Sequence, residues 1–113
     1  MSVDLEARQA ALGGAGMVYG PGLKPVAVRC IADCYRATQG RLPIIGMGGV
    51  ETGEDAIELL EAGATLVAVD TAFVTHGPRM FTRIAGEMVT WGTDAGVAST
   101  AELIGTVQTA VKK

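Results

Sequence analysis

The sequence predicts an α/β fold built from parallel βαβ units, and three observations lead there. Two short apolar runs, at 42–47 and 66–69, are each bounded by turn residues and each followed by a helical pattern. Aromatic residues are only 4% of the chain, so a core must be made of Ala, Val, Ile and Leu, as in layered α/β proteins. Glycine accounts for 16 of 113 residues without low complexity, which implies tight turns or close approaches of backbone to a neighbour or ligand.

Taken in order, residues 1–22 read as an irregular, glycine-rich loop segment. Gly13, Gly14, Gly16, Gly20 and Gly22 crowd it together with Pro21, and such a run disfavours a strand interior. It serves either as a surface linker or as a backbone cradle for a ligand. Residues 24–38 read as a helix, with Pro25 suited to its first turn and Gly40 to its end. Ala27, Ile31 and Cys34 recur on one side of it. The run 42–47 (Leu-Pro-Ile-Ile-Gly-Met) fits a strand buried on both faces, with Pro43 tolerable near its start.

The clearest helix lies at 52–62. Thr52 caps it, Asp55 is placed as a capping-box partner, and Gly63 is placed to end it. Ala56, Ile57 and Leu60 make its apolar face, while Glu54, Asp55, Glu58 and Glu61 read as a solvated face. Residues 66–69 (Leu-Val-Ala-Val) give a second buried strand that runs into the polar turn Asp70-Thr71. Pro78 opens a further helix with Phe81, Ile84 and Met88 on its inner side. Ser99 and Glu102 carry a capping-box signature for a last helix at 99–113, whose apolar side is Leu103, Ile104, Val107 and Val111. The chain thus reads as one partial domain: the loop segment 1–22, the βαβα units 23–98 and the C-terminal helix. Two strands are too few for a parallel sheet covered on both faces, so further strands are expected from elsewhere.

Several function classes are excluded as expectations. Nine Lys and Arg against twelve Asp and Glu leave a net charge of −3, which is not the basic footprint of a nucleic-acid binder. No apolar run is long enough to span a membrane, and the first residues lack the basic start and apolar stretch of a signal peptide. A reducing, cytoplasmic setting follows from the sparse cysteines. Cys30 and Cys34 share one helical face. They are expected to be small buried hydrophobes rather than a metal half-site or redox pair. With His76 the only histidine, one chain cannot supply a four-ligand zinc site.

The informative spacing is that of the glycines. Gly46, Gly48 and Gly49 end one strand and precede the helix cap at Thr52. Main-chain amides at such a turn, with no side chains in the way, can hold an anion. The next strand also ends in a polar turn, Asp70-Thr71. Two successive strand ends of this kind fit the phosphate site that (β/α)8 barrels form after strands 7 and 8. Acid–base residues are scarce. His76 is the one candidate and reads as an exposed loop residue. No nucleophile–base pair is evident, so the chain looks like a binding half without a catalytic half.

Four stretches resemble class 1 dihydroorotate dehydrogenases, in order along nearly the whole chain. They are the loop-to-helix segment from Gly20 to Ala27 (with Leu23-Lys24-Pro25), the strand 7 segment from Leu42 to Ala56 (with Gly46-Met47-Gly48-Gly49-Val50), the strand 8 segment from Glu61 to Ala72 (with Val69-Asp70-Thr71), and the C-terminal stretch from Ser99 to Gly105 (with Ala101-Glu102-Leu103-Ile104). Several FMN-dependent barrels share the strand 7 and 8 pattern. The Leu-Lys-Pro segment and the C-terminal stretch narrow it to this family. The resemblance implies the C-terminal portion of a TIM (β/α)8 barrel and an FMN-dependent oxidation of dihydroorotate to orotate in pyrimidine biosynthesis. It implies FMN phosphate on the backbone at Gly48, Gly49, Asp70 and Thr71, with Gly16 and Met17 lying along the cofactor.

The departures from the family pattern matter as well. The catalytic base, the flavin-contacting Lys and the pyrimidine-binding Asn residues of the family would lie upstream of this sequence. Asp70 stands where the family usually has Gly, Met17 where it has a second Gly, and Tyr19 where it has Ser. A carboxylate at ~5 Å from a unit of phosphate charge costs roughly 3 kcal/mol at an effective dielectric of ~20. The resemblance therefore implies a fragment inactive by itself, with an N-terminal barrel half or further copies of the chain as partner. The alternatives are a non-catalytic remnant or half-barrel binding module, and a piece of another phosphate-binding barrel. The segment from Gly77 to Phe81 is closer to the fumarate-using subclass than to the NAD-linked one.

Overall fold

The computed structural model describes residues 3–4, 9–10 and 18–110. Within the stretch expected to be irregular, β1 (Val3–Asp4) and β2 (Gln9–Ala10) pair antiparallel, with Val3 opposite Ala10. Backbone pairing needs no apolar pattern, which is why composition alone did not expose it. Gly16 and Met17 lie outside the described residues.

A 3-10 turn at Pro21–Leu23 leads into α1 (Lys24–Thr38). The helix bounds match the sequence reading, and Ala27 and Ile31 form its buried side. Cys30 and Cys34 are both exposed and unpaired in disulfides, contrary to the expectation of buried thiols. They lie off the stripe that faces the core, and no group of three metal-ligating side chains occurs among the described residues.

β3 (Ile45–Met47) and β4 (Leu66–Ala68) form a two-stranded parallel sheet in the register Ile45 to Leu66, Gly46 to Val67 and Met47 to Ala68. Both strands are shorter than expected, and neither is buried on both faces. Gly46 is buried, whereas Ile45, Met47 and Leu66 are 68%, 60% and 61% exposed. Strand side chains alternate between faces, and among the described residues only one face of this sheet meets helices.

On the covered face, Gly46 lets α1 and Ala64, just past the end of α2, come close. A methyl at this position would lie 2.8 Å from Ile31 Cδ1 and 2.9 Å from Ala64 Cβ. α2 (Gly53–Ala62) crosses between the strands, and its capping box is complete between Thr52 and Asp55. Leu59 and Ala56 lie in the main core with Ile31, Val50, Ala72, Met80 and Ile84. Ile57 and Leu60 join Leu103 in a second cluster.

Two further elements differ from the sequence reading. A short helix, α3 (Thr71–His76), follows β4 where a polar turn was expected. In α4 (Arg79–Ala95) the buried residues are Met80 and Ile84, while Phe81 is half-exposed and packs its ring on Phe73 at 5.7 Å. Both Met80 and Phe81 fit the helical period, and docking of the helix chose Met80.

The C-terminal stretch is not one helix from Ser99. Ser99 Oγ accepts from the Ala101 N–H and caps a 3-10 turn at Thr100–Glu102, and α5 (Thr106–Ala110) begins only after Gly105. The chain bends there so that the Gly105 N–H reaches the Leu60 carbonyl at 3.1 Å. Leu103 is buried, whereas Val107 is 44% exposed. Val111 lies outside the described residues. No helix of the described residues is long and apolar enough to cross a membrane.

Candidate functional site

The carboxyl ends of β3 and β4 lie side by side, and a cavity of about 140 Å³ opens there. Its walls include Tyr19, Gly48, Gly49, Asp70 and Thr71. The structure therefore brings together the two strand-end turns that the spacing singled out, although they are separated by the whole of α2. Thr71 is the first residue of α3 rather than part of a loop.

The turn after β3 is tightly constrained. Gly48 and Gly49 have φ of +131° and +71°, a region that L residues with a Cβ rarely adopt. A Cβ on Gly49 would also lie 2.7 Å from the Lys24 backbone nitrogen and 3.1 Å from the Gly20 carbonyl oxygen. The glycines thus serve two ends: they allow the turn, and they let it lie against the start of α1.

Side chains from three helices hold the same turn. Asp55 Oδ2 accepts from the backbone N–H groups of Glu51 at 3.0 Å and Thr52 at 2.9 Å. Its Oδ1 accepts from Lys24 Nζ at 2.6 Å, and Lys24 also reaches Glu58. From the other side, Arg83 donates to the Glu51 carbonyl at 2.8 Å and to Glu87 at 3.0 Å. Glu87 in turn accepts from the Gly53 N–H at 2.6 Å. Asp55 is not part of a solvated carboxylate face, as the sequence suggested, but a half-buried clasp. A capping-box reading could find Asp55 from local spacing. Nothing local marks Lys24, Arg83 or Glu87 as its associates, because they come from other helices.

The electrostatics of the cavity differ from its backbone geometry. Asp70 and Glu51 line it, and among the described residues no Lys or Arg does. The Asp70 side chain makes no capping hydrogen bond to α3. A glycine turn can offer main-chain amides to an anion, whereas the ionisable side chains of the described lining residues Glu51 and Asp70 are acidic. His76 ends α3 on an exposed surface, with Nδ1 2.8 Å from Thr75 Oγ1, and it is not among the residues of the cavity.

Comparison with known proteins places this arrangement in a family. The family model described as dihydroorotate dehydrogenase matches residues 1–91. The catalytic subunit of a dihydroorotate dehydrogenase B (NAD(+)) from Methanothermobacter thermautotrophicus is 40% identical over 106 residues, covering 93% of this chain and 34% of that protein. A putative dihydroorotate dehydrogenase A (fumarate) from Solibacter usitatus is 39% identical over 109 residues, covering 96% of this chain and 35% of that protein. Relatives named for the two acceptors are thus equally similar to this chain.

A crystal structure of DHODH from Eimeria tenella in complex with ferulenol superimposes with a TM-score of 0.80 at 31% identity. The match covers 95% of this chain and 28% of that one. The ligand-free form from the same organism gives 0.79 at 32% identity. This chain spans about a third of the length of the curated relatives it matches. Its two parallel strands, packed on one face by helices and open on the other, are an incomplete part of a TIM barrel. The chain belongs to the dihydroorotate dehydrogenase family.

Proposed function

We propose that this chain supplies the cofactor-phosphate end of a dihydroorotate dehydrogenase barrel, in a protein that oxidises dihydroorotate to orotate in pyrimidine biosynthesis. The observation that carries the reading is the cavity where the Gly48-Gly49 turn and Asp70-Thr71 meet at the carboxyl ends of adjacent parallel strands. Active sites of (β/α)8 barrels lie at the carboxyl ends of the strands, and a phosphate site is frequently formed by the loops after strands 7 and 8, to which this pair corresponds in the proposed reading. Backbone amides at Gly48, Gly49, Asp70 and Thr71 would hold the FMN phosphate, with the Thr71 hydroxyl as a further donor. Gly16 and Met17 would lie along the cofactor. Bound FMN would supply the hydride acceptor for the substrate.

The chain's own contribution is positional. The Lys24–Asp55 pair and the Arg83 bond to the Glu51 carbonyl fix the turn after β3, so its amides need little reordering when an anion arrives. The catalytic base and the pyrimidine-binding residues are assigned to the part of the barrel beyond this chain, so the chain alone has no turnover. FMN titration followed by flavin fluorescence tests the first part, with dihydroorotate added to test the second. Saturable quenching without flavin reduction is the expected result. Flavin reduction by the pure chain would overturn the assignment of the base. Absence of quenching with both the native chain and Asp70→Gly would overturn the cofactor site.

A second reading is a half-barrel module completed by a partner, either an N-terminal barrel half or further copies of this chain. The exposed row Ile45, Met47 and Leu66 favours it, since an uncovered sheet face and free strand edges invite association. A well-folded chain that stays strictly monomeric at high concentration would count against this reading.

A further inference from the structure

We propose that Asp70 makes the strand-end cavity discriminate against a dianionic phosphate, so that the turn binds such a group weakly until that carboxylate is neutralised. The inference rests on the reading above that Gly48, Gly49 and Thr71 form an anion turn, and it concerns which anion the turn accepts. Three observations on separate elements carry it. Asp70, at the end of β4, lines the cavity directly beside Thr71 and makes no hydrogen bond that caps α3. Glu51, at the end of the turn after β3, lines the same cavity. The cations adjacent in the structure are already committed. Lys24 Nζ is held at 2.6 Å by Asp55 with Glu58 beside it, and Arg83 is held by the Glu51 carbonyl and Glu87.

The backbone geometry and the charge therefore oppose each other. Amides at a glycine turn attract an anion, but the lining includes Asp70 and Glu51, whose negative charge repels one, and among the described residues no Lys or Arg lines the cavity to offset them. Repulsion acts in proportion to charge, so a dianion is penalised about twice as much as a monoanion at the same place. Salt weakens the effect at an exposed rim without abolishing it at contact distance. Asp70 is exposed, and its φ of −122° is open to any residue, so its replacement leaves the fold intact.

The test uses the full chain, labelled with ¹⁵N, and inorganic phosphate near pH 8, where the probe is mainly dianionic. Amide shifts of Gly48, Gly49 and Thr71 are followed in the native chain and in Asp70→Asn and Asp70→Gly. The expected result is saturable movement of these amides in both variants, with half-saturation at a phosphate concentration at least about tenfold lower than in the native chain. If the native chain and both variants titrate alike, the discrimination is overturned while the anion turn stands. If none of the three amides moves in any of the proteins, the anion turn itself is overturned, and the inference falls with it.

Discussion

Asp55 joins three parts of the molecule through one carboxylate. It completes the cap of α2, it fixes the Glu51 and Thr52 amides, and it binds the ammonium of Lys24. Burial pushes its pKa up, but the hydrogen bonds from Lys24, Glu51 and Thr52 outweigh that and hold it below its ordinary 3.8. Lys24 is raised above its ordinary 10.5, first by its hydrogen bond to Asp55 and then by that to Glu58. The signs follow from linkage. A depressed carboxyl favours folding above pH 3.8 and loses that contribution as pH falls through the folded value. The raised ammonium favours folding below pH 10.5 and loses its contribution as pH rises through its own folded value. Asp55→Asn keeps an oxygen acceptor but removes the charge, so it is expected to cost about 1–2 kcal/mol in urea unfolding at pH 7. Asp55→Ala also loses the cap and is expected to cost about 1 kcal/mol more. The native chain should lose stability on acidification below pH 4 more steeply than the Asn variant. Parallel acid profiles would show that the Lys24 pair does not contribute to folding.

At the scale of elements, the ring of Tyr35 explains how α1, α2 and the C-terminal turn fit together. Gly63, with φ of +124°, ends α2 against that ring, and a Cβ there would collide with Tyr35 Cγ. Gly63→Ala combines backbone strain with overpacking and is expected to cost about 3 kcal/mol. Gly96→Ala meets nothing within 4 Å at a φ of +71°, so strain alone remains, about 1 kcal/mol. Removing the ring in Tyr35→Ala should relieve Gly63→Ala by about 1 kcal/mol or more in a double-mutant cycle. Additive costs would mean that the ring is not what constrains the turn. The end of α2 was legible in the sequence because Gly63 follows a periodic apolar run. Its neighbour was not, because Tyr35 belongs to another helix. The capping signature at Ser99 and Glu102 misled for the same kind of reason. Local spacing favours a continuous helix, but docking of Gly105 on Leu60 and of Gln108 Nε2 on the Ala32 carbonyl at 3.2 Å bends the chain.

Across the whole molecule, the sheet has one finished face. Ile45, Met47 and Leu66 stand on the other, where a complete barrel would pack its interior. Replacing Ile45 with Glu and Leu66 with Lys is therefore expected to change the unfolding midpoint of this chain by no more than about 0.5 kcal/mol. The same pair should reduce binding of a hydrophobic dye and any self-association seen by sedimentation. A loss of several kcal/mol would mean that this face is already covered in the chain as it stands. The sequence by itself determined the βαβ order, the bounds of α1, the capped start and glycine end of α2, and the two strand-end turns. Each is a local matter of period, capping or backbone freedom. Only the tertiary structure decided that the strands are covered on one side, that Met80 rather than Phe81 faces inward, that the two cysteines face out and that Lys24 is committed to Asp55. These depend on which element lies against which, and a one-dimensional pattern does not carry distances between residues far apart along the chain. The same division holds at the site. Glycine spacing marked its backbone and Asp70 already stood out against the family pattern, whereas the placing of Glu51 on the same cavity and the commitment of Lys24 and Arg83 to other carboxylates appeared only on folding.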